Sequence, residues 1–248
     1  MTEARLDCTL APHCPRLRVV AIVLAAGTAS RMGGRPKCLL KRDGQTLLRR
    51  LLDGLETAGI DETVLVLGHH ADAVQQALAA AQNAHLRSRM PLHTVMNDKP
   101  TNGQNSSLHL GLAKAQALAP DWLMVALADQ ALIEAQDLHD LVAAVKHAPQ
   151  GTKMLQPQVS TLGQAPQPGN PVMLHKDVMT DLRQQGENLS AADPSKLPGG
   201  KDWRLQNPQH FFAWPTPNAH YGIDLDTPED VAALQTKYGI QLHWDEGL

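Results

Sequence analysis

The chain has 248 residues, of which 43% are hydrophobic and only 3% aromatic, with a formal net charge of −3. That length suits one large α/β unit with a core of Leu, Val, Ile and Ala, and the mild acidity argues against a nucleic-acid binder, which carries a basic face. Three cysteines make no disulfide framework and fit reducing cytosol; no apolar run nears the roughly 18 residues of a membrane span, so a cytoplasmic protein without a membrane partner is expected.

Residues 1–17 read as a flexible tail, in which the spacing of Cys8, His13 and Cys14 matches no zinc pattern. From there short apolar runs alternate with helical periodicity. Strands are expected at Val19–Leu24, Thr63–Leu67, Leu92–Met96 and Trp122–Leu127. Helices are expected at Thr46–Ala58, Ala71–Gln82, Ser106–Ala117 and Ala135–His147. Runs buried on both sides, alternating with helices, specify a mostly parallel sheet covered by helices, a Rossmann-like three-layer αβα arrangement. Beyond Gly151 the rhythm loosens: Met154–Val159 and Pro171–Leu174 are strand-like, and Gln184–Asp202 reads as a long mobile loop. A last helix follows Thr227 as N-cap, with Pro228 in its first position and Glu229 and Asp230 in its first turn, and stops at Gly239. Residues 18–248 are expected to form a single domain.

The first strand runs directly into Leu24-Ala25-Ala26-Gly27-Thr28-Ala29-Ser30-Arg31-Met32-Gly33-Gly34-Arg35-Pro36-Lys37. Small residues let a backbone approach a phosphate, and successive N–H groups can cradle its oxygens. Arg31, Arg35, Lys37, Lys41 and Arg42 add a cluster of cations suited to the about four negative charges of a triphosphate. An ordinary strand-to-helix turn with solvated basic residues explains the same text, and these residues alone leave both readings open. A dinucleotide site is excluded by the lack of G-x-G-x-x-G and by Gly68-His69-His70, rather than an acid, after the second strand. A Walker loop is excluded because no Gly-Lys-Ser/Thr triplet exists. His69 and His70 read as surface residues.

The Leu-Ala-Ala-Gly … Arg-Met-Gly … Lys signature resembles the molybdenum cofactor nucleotidyltransferases, and among them the cytidylyltransferases, within the nucleotide-diphospho-sugar transferase-like superfamily. The resemblance extends to Gly103-Gln104-Asn105-Ser106-Ser107-Leu108, Asp129-Gln130, Gly169-Asn170-Pro171-Val172 and Asp224-Leu225-Asp226-Thr227-Pro228-Glu229-Asp230. It implies a nucleotide held by Leu24, Ala25, Ala26, Gly27, Gly103, Ser106 and Ser107, and catalytic Arg31, Lys37 and Asp129. It further implies Mg2+ on Asp129 and Asp226, and Asn170 on the acceptor side. Asp224 and Asp226 would share one face of a strand.

The implied reaction moves CMP from CTP to the phosphate of molybdopterin or molybdenum cofactor and releases pyrophosphate. A molybdoenzyme or its maturation factor is the implied protein partner. Cytidylyl or uridylyl transfer to a sugar or polyol phosphate is the alternative enzyme, and a non-catalytic carrier of the cofactor the alternative of another class. Ala26, where guanylyl-transferring relatives carry Gly, favours CTP over GTP. The chain departs from the family at Ala29, usually Ser or Gly; at Ala131, usually Pro; and at 184–189, where Gln-Gln-Gly-Glu-Asn-Leu replaces a Gly-Asp-x-Gly-Ala-Arg stretch.

Overall fold

A computed structural model describes residues 16–83, 89–160, 165–190 and 196–245. In chain order its elements are β1 (Val19–Ala25), the hairpin β2 (Lys41–Arg42) and β3 (Gln45–Thr46), α1 (Leu47–Thr57), β4 (Glu62–Leu67), α2 (Ala71–Asn83) and β5 (Leu92–Met96). There follow α3 (Gln104–Gln116), β6 (Trp122–Leu127), α4 (Ala135–His147), β7 (Met154–Val159), β8 (Gln167–Pro168) and β9 (Val172–His175). The last are α5 (Lys176–Ser190), α6 (Gly200–Gln206), β10 (Phe211–Thr216) and α7 (Pro228–Tyr238).

The main sheet has eight strands in the order β10-β7-β9-β6-β1-β4-β5, with β8 beside β7. β5, β4, β1 and β6 are mutually parallel, and β9 runs antiparallel to both β6 and β7. The expected mixed, mostly parallel αβα sheet is therefore present. β1 shows how the layers arise. Its Val19, Ala21 and Val23 join one core with Leu48, Leu51 and Leu55 of α1 and Leu138 and Leu141 of α4. Its Val20 and Ile22 join another with Leu108 and Leu112 of α3 and Val178 and Leu182 of α5. Alternate side chains of a strand face opposite ways, so an apolar run this long must be covered on both faces. Gly111 lets α3 lie close to β1: a Cβ there would sit 2.6 Å from Ile22 Cγ2.

Chain order sets the place of the site. After β1 the chain moves outward through β4 and β5, then crosses back to lay β6 on the other flank of β1. The carboxyl ends of β1 and β6 thus meet where strand order reverses, the point at which open α/β sheets bind ligands.

Several sequence expectations need correction. Gln184–Asp202 is not one long loop, because α5 runs through 184–190 and α6 begins at Gly200. Gly186 is a close-packing position in the helix: a Cβ there would meet the His109 ring at 2.4 Å. β10 was absent from the sequence reading. Asp224 and Asp226 do not share a strand, since residues 223–226 belong to none. α3 starts at Gln104 with Gly103 as its N-cap, φ 94°, ahead of the expected Ser106. The tail expected at 1–17 falls largely outside the described residues, as do Cys8, His13 and Cys14. At its end, Arg16 pairs with Asp61 at 3.0 Å and Leu17 packs on the core. No described helix is long and apolar enough to cross a membrane.

Candidate active site

A cleft of about 620 Å3 opens at the carboxyl ends of β1 and β6, within the span of about 300–1,000 Å3 usual for small-molecule sites. The glycine loop forms one wall. Beyond Gly27 it tightens into a short 3₁₀ turn over Ser30–Met32, entered through Ala29 at φ 50°, ψ 31°. An L-residue strains to hold this left-handed conformation, which is where the family's Gly fits more easily. Met32 N and Gly34 N both close back onto Ala29 O, at 2.9 and 3.0 Å. His70, in the turn after β4, lies against the loop from the surface: its Nε2 is 3.1 Å from Thr28 O, and His69 beside it is exposed.

Three loops from distant parts of the chain converge on one small apolar knot. Met32 from the glycine loop, Ala131 and Leu132 from the segment after β6, and Leu225 from the late acidic segment are buried together with Leu40, Leu47 and Leu234. Leu225, 1% exposed, points into this knot. Its neighbours Asp224 and Asp226 turn outward and line the cleft. Ala131, where the family has Pro, is 2% exposed, and its carbonyl accepts a bond from Arg42 Nη1 at 3.0 Å. Packing and a guanidinium hold the loop that carries Asp129.

Lys37 stands at the centre of the charged groups. Its Nζ lies 2.6 Å from Asp129 Oδ2 and 3.0 Å from Asp226 Oδ1, and donates to Leu225 O at 2.5 Å. Burial would lower the pKa of this ammonium, but Asp129 and then Asp226 outweigh burial and hold it above the ordinary lysine value. Asp224 lines the same cleft; desolvation first, then Asp129 and Asp226, raises its carboxyl above the usual range. Beside Lys37, the buried Cys38 thiol is pushed up to about 12, by desolvation and then by Asp129, so it stays protonated and unreactive. Arg31 reaches the same acids loosely, 3.8 Å from Asp226 with its side chain 73% exposed. The remaining cations of the sequence cluster are engaged elsewhere. Lys41 pairs with Asp245, Arg42 with Glu134, and Arg35 lies over the Trp244 ring.

Across the cleft, Ser107 and Gly103 line the wall with Pro100 and Gln104. Ser106 is not part of that lining: its hydroxyl donates to Gly103 O at 2.7 Å. Asn97, 4% exposed at the end of β5, donates from Nδ2 to both serine hydroxyls, at 3.0 and 2.9 Å. Sequence reasoning missed Asn97; a polar residue directly after the expected strand Leu92–Met96 was its only signal. Leu24, Ala25, Ala26, Gly27 and Asn170 all border the cleft. The Ala26 methyl is turned against Gly68, where an added Cβ would come within 2.7 Å of it. The Asn170 loop is held from behind. Gln130 Nε2 donates to Asn170 O at 2.9 Å, and Asn170 N donates to Tyr221 O at 2.8 Å.

This arrangement suits a divalent cation. Asp129 and Asp226 supply hard oxygen donors at one point of a phosphate-sized cleft, and an ammonium already occupies the space between them. Asp224 lines the same cleft. Among the described residues no cluster of three or more His, Cys, Asp or Glu side chains forms a closed metal cage.

Comparison with known proteins agrees with the geometry. Nicotine blue oxidoreductase of Paenarthrobacter nicotinovorans is 35% identical over 112 residues, 45% of this chain and 50% of that protein. 2-C-methyl-D-erythritol 4-phosphate cytidylyltransferase of Shewanella oneidensis is 34% identical over 167 residues, 66% of this chain and 61% of the enzyme. The chain thus spans less than two thirds of each of these curated relatives. Rv0371c of Mycobacterium tuberculosis H37Rv shares the fold, with a TM-score of 0.61 and 23% identity over 89% of this chain and 98% of that one. Its complex with manganese superposes with a TM-score of 0.57. The sequence profile of the MobA-like NTP transferase domain matches residues 21–196, well over half of the chain and all the loops that carry Arg31, Lys37, Ser107, Asp129 and Asn170. The chain belongs to the family of MobA-like NTP transferase domains.

Proposed function

We propose that this protein is a Mg2+-dependent nucleotidyltransferase that moves CMP from CTP onto the phosphate of molybdopterin or molybdenum cofactor and releases pyrophosphate. The observation that carries the reading is the meeting of Lys37, Asp129 and Asp226 at the mouth of the glycine loop. Residues 18–248 act as a single catalytic domain in the cytosol, and a molybdoenzyme or its maturation factor is the protein expected to receive the product.

The chemistry asks little of a general base. A phosphate monoester acceptor, with a second pKa of about 6, is ionised near neutral pH. What attack on the α-phosphate needs is charge neutralisation and alignment. Backbone N–H groups of the glycine loop face the triphosphate, Arg31 and Lys37 neutralise its outer phosphates, and Asp129 and Asp226 hold Mg2+. That ion, when bound, offsets charge on the phosphates and on the pyrophosphate leaving group. Gly103 and Ser107 present donors to the nucleoside, and Asn170 borders the acceptor. Because the Ala26 methyl packs on Gly68, selection of cytosine rests chiefly on those donors, with the methyl contributing at most about 1–3 kcal/mol.

Pyrophosphate release measured with each of four triphosphates, with and without molybdopterin, tests this. CTP with molybdopterin is expected to be the fastest combination. Equal rates with GTP would move the chain to guanylyl transfer, and rates independent of molybdopterin would remove that acceptor. The 34% identity to a cytidylyltransferase acting on a polyol phosphate supports the second reading, cytidylyl transfer to a sugar or polyol phosphate, which the same assay separates.

Arg31→Ala is expected to raise the Kd for the triphosphate about 10-fold, the lower end for a charged hydrogen bond because Arg31 is well exposed. Titration calorimetry showing unchanged affinity would take Arg31 out of the site.

A further inference from the structure

We infer that Lys37 is the metal site's built-in counter-ion: it bridges Asp129 and Asp226 while the nucleotide is absent, keeps a divalent cation off them, and yields only when a triphosphate takes its ammonium. This rests on Asp129 and Asp226 being the metal ligands.

An ammonium has three N–H donors and no more. All of Lys37's are spent, on Asp129, Asp226 and Leu225 O. Asp129 has no other hydrogen-bond or ion-pair partner among the described residues, so Lys37 is the one side chain that offsets its charge directly. With the Lys37 side chain only 18% exposed, water screens the contact far less than it does a surface pair. A divalent ion on the same oxygens would bring like charges within a few ångströms of each other, so ammonium and metal exclude one another there.

The backbone of Lys37 cannot carry the ammonium away. Lys37 opens a 3₁₀ turn behind Pro36, its carbonyl accepts from Leu40 N at 3.0 Å, and Cys38 and Leu39 beyond it are buried. Only the flexible stem can move, from the acids toward the glycine loop, and a phosphate lying there gives the ammonium new oxygens. Lys37 is thus a positioning residue before it is a phosphate ligand. Metal and triphosphate then bind cooperatively, because each removes the obstacle to the other, and such coupling is reciprocal.

The test is Mn2+ binding to the full chain without nucleotide, read from the loss of the free-Mn2+ electron paramagnetic resonance signal. Lys37→Met is expected to bind Mn2+ roughly 10- to 150-fold more tightly than the parent, the equivalent of one charged hydrogen bond. Lys37→Gln serves the same purpose should the methionine variant fold poorly. Lys37→Arg, which keeps a cation, is expected to stay as weak as the parent. Adding Asp129→Asn to Lys37→Met should erase the gain. Unchanged Mn2+ affinity in both neutral variants overturns the inference and leaves the metal assignment standing. A gain that survives in the double variant instead places the ion away from Asp129 and overturns the metal assignment itself.

Discussion

Asp129→Asn is expected to stop pyrophosphate release, with kcat falling by at least about 100-fold, the scale for losing one preorganised electrostatic contact. The cleft is lined by Asp129, Asp224 and Asp226 against Arg31 and Lys37, so it carries a slight negative excess before any triphosphate enters. Only a bound cation makes it receptive to several further negative charges, and Asp129 is the acid closest to the half-buried Lys37 ammonium at 2.6 Å. Asp226→Asn should be nearly as damaging. Asp224→Asn should cost less, because the ion pairs of Lys37 go to Asp129 and Asp226 and not to Asp224. The asparagine variants keep shape and remove charge, so melting temperatures near the parent's would assign the loss to chemistry. Steady-state rates that show Asp224 essential and Asp226 dispensable would reverse the assignment within the pair.

Much of the lining of the candidate site is legible in the sequence, because the proposed chemistry needs residue types that sequence displays openly. A glycine loop after a buried strand, an acid after another, and an Asp-x-Asp before a Thr-Pro helix start are each visible as text. The N-terminal half of the sheet is visible for a similar reason: β6 is an unbroken apolar run and α4 has an amphipathic helical period, and the expected and observed ranges of β5, β6 and α4 coincide. What stayed hidden depends on contacts between segments far apart in the chain. α5 contains Gly186, whose missing side chain serves His109 of α3, and no local pattern reports such a partner. β10 is an edge strand interrupted by Pro215, tolerable where one side of the ladder is open. The sequence cluster of cations overstated the site, since Lys41, Arg35 and Arg42 find partners outside the cleft. Conversely, the apolar knot of Met32, Ala131 and Leu225 lies inside three polar motifs, and its residues look incidental until they meet.

The largest stability effect is expected away from the cleft, at Asp137→Ala. Asp137 is 5% exposed in the first turn of α4, yet its carboxylate carries three hydrogen bonds and its carbonyl a fourth. Its Oδ2 accepts from Glu134 N at 2.8 Å, closing the start of the helix, and lies 2.8 Å from His220 Nδ1. Its Oδ1 accepts from Asn218 Nδ2 at 2.6 Å. The Asp137 carbonyl takes the Tyr221 hydroxyl at 2.7 Å, and burial raises the pKa of that phenol, so it remains a donor. The carboxylate and the carbonyl of this one residue therefore clasp residues 218–221 to α4. The clasped segment supports Asn170 through Tyr221 O and leads directly into Asp224–Asp226. Alanine would leave a helix N–H, an imidazole and a carboxamide without their acceptor, and removing one partner of such a buried set costs about 3–5 kcal/mol. For a chain of this size that is a fall in Tm of about 6–20 °C. Asp137→Asn should cost less, roughly 1–3 kcal/mol, because it keeps the shape and one acceptor but turns an NH2 group toward a donor. Urea denaturation separates the outcomes: a lower midpoint with an unchanged slope is expected for both variants, larger for alanine. An alanine variant within about 1 kcal/mol of the parent would mean that water replaces these bonds at little cost, and that the acidic segment is held by the Leu225 knot alone.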